Sequence, residues 1–180
     1  MNRVVAVGKP EDIFQPYINT PIEKLLAYHN FGAEHEVYTS AQLLIGMCMD
    51  NRKRLIIPDN FAYIIRTGGG NLRYSEFKVS YAIAVGGVQA ITLIAHNNCS
   101  MVNLMARKIQ FIDGLVENGG WDREMAEDHF NHFSPMFEIG NEIDFVLSET
   151  KRLRLRYPGV MVAPLLFNVD DSRLYQIREQ

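Results

Sequence analysis

Apolar residues along the chain fall into two kinds of run. Some are short, dense and rich in β-branched side chains: "QLLIGMC" (42–48), "AYIIR" (62–66) and "AITLIAH" (90–96). Runs of that length and continuity predict strands buried on both faces of a sheet. A fourth run, "VMVAPLLFNV" (160–169), carries Pro164, which predicts an edge strand or a bulge because proline cannot donate to a ladder. A fifth, "RLYQI" (173–177), follows the turn-like "DDS" and predicts a hairpin partner for the fourth.

Between them the apolar positions recur at helical spacing. "PIEKLLAYHNF" (21–31) follows Thr20, a good N-cap, and "SEFKVSYAIAVGG" (75–87) opens on a Ser/Lys capping region and ends on glycines. "MVNLMARKIQFIDGLVENGG" (101–120) reads as one long helix, and "WDREMAEDHFNHFSP" and "NEIDFVLSETKRLRLRYP" as two more. Strands alternating with helices predict an α/β fold. The sheet is expected to hold four mostly parallel strands plus one antiparallel edge strand, with helices on both faces. No repeat, low-complexity tract or linker interrupts the chain, so residues 1–180 are expected to form one domain. Within it, 1–40 reads as an N-terminal helical arm and 41–180 as an α/β core.

Composition narrows the function classes. The chain has 180 residues, 47% hydrophobic and 22% charged, with a net charge of -3 and a pI near 5.9. That balance gives no electrostatic footprint for nucleic acid. The densest basic run, "KRLRLR" (151–156), alternates with leucine as a solvated helix end does. No stretch approaches the roughly 20 apolar residues that span a bilayer, and "MNRVVAVGKPEDIF" is too short and too soon charged for a signal peptide. A cytoplasmic protein with reduced thiols is expected.

The candidate chemistry lies where strands end. Cys48, Arg66 and His96 each fall at the predicted C-terminal end of a different strand, where open α/β sheets bind ligands. "HNNC" places Cys99 three residues after His96, and these two cysteines are the only ones in the chain. Two thiolates and one imidazole suit Zn²⁺, and three protein ligands leave a fourth position open, as in catalytic sites. In "CMDNR", Asp50 and Arg52 share the parity of Cys48, so the strand's alternation would carry all three toward one cleft. Asp50 would orient a water-derived ligand of the metal and Arg52 would clamp the carboxylate; a purely structural ion pair is the other reading.

The "CMDNR" and "HNNC" pair resembles the Cys-x-Asp-x-Arg and His-x-x-Cys motifs of β-class carbonic anhydrases. "AYIIRTGGG", "SYAIAVGGVQAITLIAHNNC" and "VAPLLFNVDDSRLYQI" are similar to further segments of that family, so the resemblance covers roughly residues 40 to 178. It implies one zinc per chain on Cys48, His96 and Cys99, with Asp50 and Arg52 as the catalytic dyad. It also implies reversible hydration of CO₂ to bicarbonate by a zinc-bound hydroxide, and a homodimer or tetramer with no membrane partner. In some members the dyad aspartate closes the fourth zinc position at low pH.

Four positions depart from the family pattern: Asn51, Ser100 after the second cysteine, Thr67-Gly68, and Ile45 in place of an allosteric-pocket tryptophan. The first three bear on substrate choice, so hydrolysis of COS or CS₂ is the alternative chemistry, and a catalytically silent zinc sensor the alternative class. Ser100 is read as the N-cap of the next helix. Arg66 either lines the cleft or anchors a turn, while Gly69 and Gly70 in "GGGN" are read as backbone approaching the metal site, since P-loop and dinucleotide fingerprints are missing. His129 and His132 lie one helical turn apart without a third ligand and read as a solvated or interface pair. The aromatics Phe130, Phe133 and Phe137 read as packing against a helix or a second subunit.

Overall fold

The computed structural model describes residues 3–179. Its strands are β1 (Val4–Ala6), β2 (Leu43–Cys48), β3 (Ala62–Thr67), β4 (Ala90–His96), β5 (Met161–Asn168) and β6 (Arg173–Ile177). Its α-helices are α1 (Pro21–Phe31), α2 (Glu76–Ala84), α3 (Lys108–Gly119), α4 (Arg123–Phe137) and α5 (Glu142–Arg156). The sheet runs in the order β1-β6-β5-β4-β2-β3. Strands β3, β2, β4 and β5 are parallel to one another, and β6 and β1 are antiparallel additions.

Alternation along the inner strands sorts their side chains onto two covered faces. Leu43, Ile45 and Met47 join Ala163, Leu165 and Phe167 under α1, whose Ile22, Leu25 and Leu26 are fully buried there. Leu44, Ile91, Leu93 and Val162 face the other way, onto Val79 and Ala82 of α2 and Val146 and Leu153 of α5. A helix layer on each face is what lets these strands be apolar throughout.

The ends of α1 follow from its sequence. The Thr20 side chain accepts the Ile22 N–H, Pro21 opens the first turn, and Gly32 closes the helix at φ 64°. Long-range side chains then fix the helix in place. His29 Nε2 donates to the Ser172 carbonyl while its Nδ1 accepts the Ile56 N–H, and Asn30 bridges Val7 and Leu174.

Four sequence expectations need correction. The sheet has six strands, because β1 pairs with β6 and takes the edge that β6 was expected to hold. Strand β5 is interior, not an edge: Pro164 lies opposite Leu93, and the ladder with β6 starts one residue later, so the missing N–H costs no bond there. The run 101–120 is helical only from Lys108, after a short 3₁₀ turn at Leu104–Arg107 entered through left-handed Asn103. Ser100 is therefore not an N-cap: it sits in the turn that follows Cys99.

Candidate metal centre

Strand order reverses at β2. From β2 the chain moves to β3 on one side, then crosses to β4 on the other. Side chains at the carboxyl ends of β2 and β4 therefore meet at the switch point, where such sheets open a crevice. The β2–β4 ladder ends at Met47↔Ile94, placing Cys48 one residue and His96 two residues beyond it. Asn98, in the left-handed region at φ 56°, folds the chain back after His96 and brings Cys99 to Cys48.

The result is a compact donor set. The Sγ atoms of Cys48 and Cys99 are 3.9 Å apart, and these sulfurs and a ring nitrogen of His96 all lie within 4.8 Å of one another. All three residues are buried. His96 Nδ1 lies 2.9 Å from the Asn97 carbonyl. A carbonyl only accepts, so Nδ1 carries the proton and Nε2 presents a lone pair. That Nε2 is buried and has no hydrogen-bond partner. An orphaned imidazole nitrogen beside two thiols is costly by itself and fits a shared metal ion. Donation from the Cys99 thiol holds the Cys48 thiol far below its ordinary value against the burial that raises it, and the same contact with burial pushes Cys99 up. The two sulfurs thus share one proton, which an incoming cation would displace.

The turn after β2 carries the charged groups. The chain leaves the strand at Cys48, so strand parity does not aim Asp50 and Arg52; a tight turn does. Asp50 Oδ1 accepts the Arg52 N–H at 2.9 Å, and the Arg52 guanidinium grips both carboxylate oxygens, the shortest contact being 2.6 Å. That guanidinium holds the Asp50 carboxyl well below the usual carboxylate range. Asp50 Oδ2 stands 4.0 Å from His96 Nε2, so the carboxylate borders the donor set. Arg52 also donates to the Asn98 carbonyl, tying the two turns of the site together.

The remaining sequence candidates are placed as follows. Arg66 donates to the carbonyls of Cys48, Asp50 and Lys53, so it anchors the turn. Gly69 and Gly70 have φ of 63° and 75°; a Cβ on Gly70 would meet the backbone of Met47 and Cys48 at 3.5 Å. Position 70 is thus where the loop after β3 packs on the end of β2. His129 stacks on Phe111 and touches Trp121 and Phe133, and His132 meets the edge of Phe133, so the pair belongs to an aromatic cluster.

Three features escaped sequence reasoning. The first is a cavity of about 420 Å³ beside the donor set, walled by Met49, Met101, Phe111, Phe130, Phe133 and Phe137. Met101 packs against the Cys48–Cys99–Ile139 cluster, so it separates this apolar chamber from the donor set, none of whose three residues lines the chamber. A larger hollow of about 790 Å³ lies at the opposite end of the strands, near Phe14, Arg154 and Met161, and none of the ligands touches it. The second is Glu142, first residue of α5, whose carboxylate accepts the Cys99 N–H at 3.2 Å. The third is Lys53, fully buried within a charged run that reads as exposed.

Solved structures share this architecture. A carbonic anhydrase from Glaciozyma antarctica superposes with a TM-score of 0.57 at 19% identity, covering 90% of this chain and 98% of that one. The β-carbonic anhydrase isoform I of Trichomonas vaginalis gives 0.60 at 18% identity over 93% and 100%. A carbon disulfide hydrolase gives 0.50 at 18% identity over 93% of each chain. No protein-family model and no curated protein matches the sequence. The chain therefore has the β-carbonic anhydrase fold. Within that fold, Cys48, His96 and Cys99 are positioned to bind a metal ion. No helix among the described residues is long and apolar enough to cross a membrane.

Proposed function

We propose that this protein is a zinc-dependent carbonic anhydrase of the β type, interconverting CO₂ and water with bicarbonate and a proton. The observation that carries the reading is the convergence of Cys48, His96 and Cys99 within 4.8 Å, with the Arg52-clamped Asp50 carboxylate at their edge. Zn²⁺, one per chain, would be held by those three residues and would supply a Lewis acid that acidifies water at its open position.

The chain's own groups do the rest. The Asn97 carbonyl fixes the His96 tautomer so that Nε2 faces the donor set. Asp50, kept ionised by Arg52, can only accept hydrogen bonds, so it orients a water or hydroxide with its proton toward the carboxylate and its lone pair away. The neighbouring apolar chamber favours an uncharged linear substrate and excludes competing water. The proton released in the forward direction passes to solvent buffer.

Stopped-flow CO₂ hydration paired with metal analysis tests the reading. Zinc near one per chain with rapid turnover in mildly alkaline buffer is expected. Full zinc without CO₂ turnover would overturn it. A second reading, hydrolysis of CS₂ or COS by the same site, is favoured by the apolar walls of Met49, Met101 and the phenylalanines, which suit a sulfur-containing triatomic molecule better than bicarbonate. Sulfide release measured on both gases separates the two.

Self-association belongs to the same proposal. Strand β3 is a six-residue sheet edge with Tyr63 and Ile64 exposed, whereas the opposite edge, β1, has only three residues. An open apolar edge of that length favours pairing with a second copy. Light scattering should give a dimer or tetramer; a monomer would count against this element.

A further inference from the structure

The hollow of about 790 Å³ lies at the end of the sheet away from the donor set, and the proposed reaction makes no use of it. Three segments enclose it: the chain at 14–17 ahead of α1, the turn at 158–162 that enters β5, and the chain at 177–179 that leaves β6. Strand β6 runs antiparallel to β5, so its exit lies beside the entry of β5. Phe14, Pro16, Val160, Met161 and Ile177 make most of the wall apolar. An apolar hollow with a few polar groups, within roughly 300 to 1,000 Å³, is the usual form of a small-molecule site.

Four ionisable side chains share the wall: Tyr17, Arg154, Arg178 and Glu179. Two of them satisfy each other. The Arg154 guanidinium donates to both Glu179 carboxylate oxygens and to the Val162 carbonyl, so that pair is neutral and fixed. The other two are unmatched. Tyr17 is 5% exposed, with its ring against Phe14, yet its hydroxyl makes no hydrogen bond among the described residues. That hydroxyl is not sealed inside protein as Lys53 Nζ, His96 Nε2 and Thr150 Oγ1 are, so it faces the hollow. Burial first, with Glu179 adding and Arg154 opposing, raises the phenol pKa to about 12, which keeps it a donor in neutral solution. Arg178 is exposed and forms no ion pair among the described residues. It shares the parity of Gln176, whose side chain bridges the Phe14 N–H and the Asp12 carbonyl, so it is directed to the Tyr17 side of the hollow.

We propose that this hollow binds a small amphipathic monoanion, an apolar body bearing one acid group that accepts from the Tyr17 hydroxyl and pairs with the Arg178 guanidinium. A neutral apolar molecule would leave the buried phenol unanswered. A dianion would exceed the single unbalanced cation of the wall, and a bare inorganic anion would leave the apolar surface wet. The site is separate from the donor set, and it stands or falls independently of the zinc reading.

Two fluorescent probes of similar shape test it: anilinonaphthalene sulfonate, an anion, and phenylnaphthylamine, its neutral counterpart. Both are titrated into the unaltered protein, Tyr17→Phe, Arg178→Met and Val160→Trp. Phenylalanine keeps the ring and removes the donor, methionine removes the charge, and tryptophan fills the hollow. One saturable sulfonate site per chain is expected in the unaltered protein. Its Kd should rise about tenfold in Arg178→Met and about fivefold in Tyr17→Phe, one contact to a charged group being lost in each, while the neutral probe stays within about twofold. Val160→Trp should abolish binding of both probes; if it does not fold, Val160→Phe is judged by the same outcome. Sulfonate affinity indifferent to either Tyr17→Phe or Arg178→Met overturns the proposal, as does equal weakening of the two probes, which would mean a packing role. Probe binding that persists with residue 160 enlarged would put the probes elsewhere on the molecule and overturn it as well.

Discussion

The candidate metal centre is assembled from two regions that are held in different ways. Cys48 and His96 sit at the ends of strands whose backbones are fixed by parallel ladders on both sides. Cys99 follows within a three-residue turn. The turn 49–57, which carries Asp50, Arg52 and Lys53, contains no strand or helix and is held by side chains reaching in from elsewhere. Arg66 clasps three of its carbonyls or their neighbours, Arg52 ties it to Asn98, and His29 of α1 accepts the Ile56 N–H. Ladder bonds are many and cooperative, whereas each clasp is a single side chain. On the proposed function, the difference predicts that metal capture and turnover are separable: damage to the clasps should spare the first and impair the second.

Breaking the strand-end region should have the largest effect. Cys99→Ser removes a soft ligand from a three-donor set, and a structural thiolate is not replaced by a hydroxyl of much higher pKa. Zinc content near zero after dialysis, with CO₂ hydration at the uncatalysed rate, is the expected result. Retention of stoichiometric zinc would show that the donor set lies elsewhere.

Asp50→Asn comes next and isolates the turn. Asparagine keeps the shape but brings an N–H₂ that donates, so Arg52 loses its bidentate partner and the accepting group is blurred. Zinc stoichiometry should be unchanged while kcat/KM falls by about 10²-fold or more, in the range expected for loss of an orienting group. A fall in zinc content parallel to activity would erase the distinction between the two regions.

What the sequence discloses follows the same divide. The Cys48, His96 and Cys99 cluster was legible because the His96–Cys99 spacing is local and the strands are dense apolar runs; the five longer strands and α1 emerge within a residue or two of their observed ends. Asp50 and Arg52 were also legible, although the turn and not strand alternation aims them. Strand β1 was not, because three residues carry no periodicity and its partner lies about 170 positions away, at Val4↔Ile177. Lys53 was hidden in "NRKRL", a run whose charge density signals solvent, and only the tertiary fold buries it. The chamber walls were read as packing residues, since Phe130, Phe133 and Phe137 at helical spacing look alike whether they meet a neighbour or a void.

Arg66→Met sharpens the comparison with a smaller effect. It releases three carbonyls at 3.0 to 3.4 Å, that of Cys48 among them, and leaves every donor side chain in place. The turn should loosen and kcat fall by about tenfold, with zinc retained. Amide hydrogen exchange should rise across 49–57 and stay flat in β2 and β4. Equal exchange in both segments would mean that the clasp supports the strands as well.

The last clasp gives the smallest effect and a pH signature. Burial lowers the pKa of His29, with the Ser172 carbonyl opposing and Arg173 adding a little. Both of its hydrogen bonds, Nδ1 accepting from Ile56 and Nε2 donating to Ser172, belong to the neutral ring. An unfolded His29 titrates at about 6.5. Well above that pH neither state binds the proton, and the histidine costs nothing. As pH falls through 6.5 the unfolded chain takes the proton first, so stability is lost on acidification, and the loss is complete once pH passes below the folded value. His29→Gln removes this titration. The stability gap between the unaltered protein and the variant, read from urea unfolding, should be widest in mildly alkaline buffer and shrink toward pH 5. Zinc content should stay constant across the same series. A gap independent of pH would mean that His29 takes up its proton equally in the folded and unfolded chains, so that its two hydrogen bonds do not hold the ring neutral.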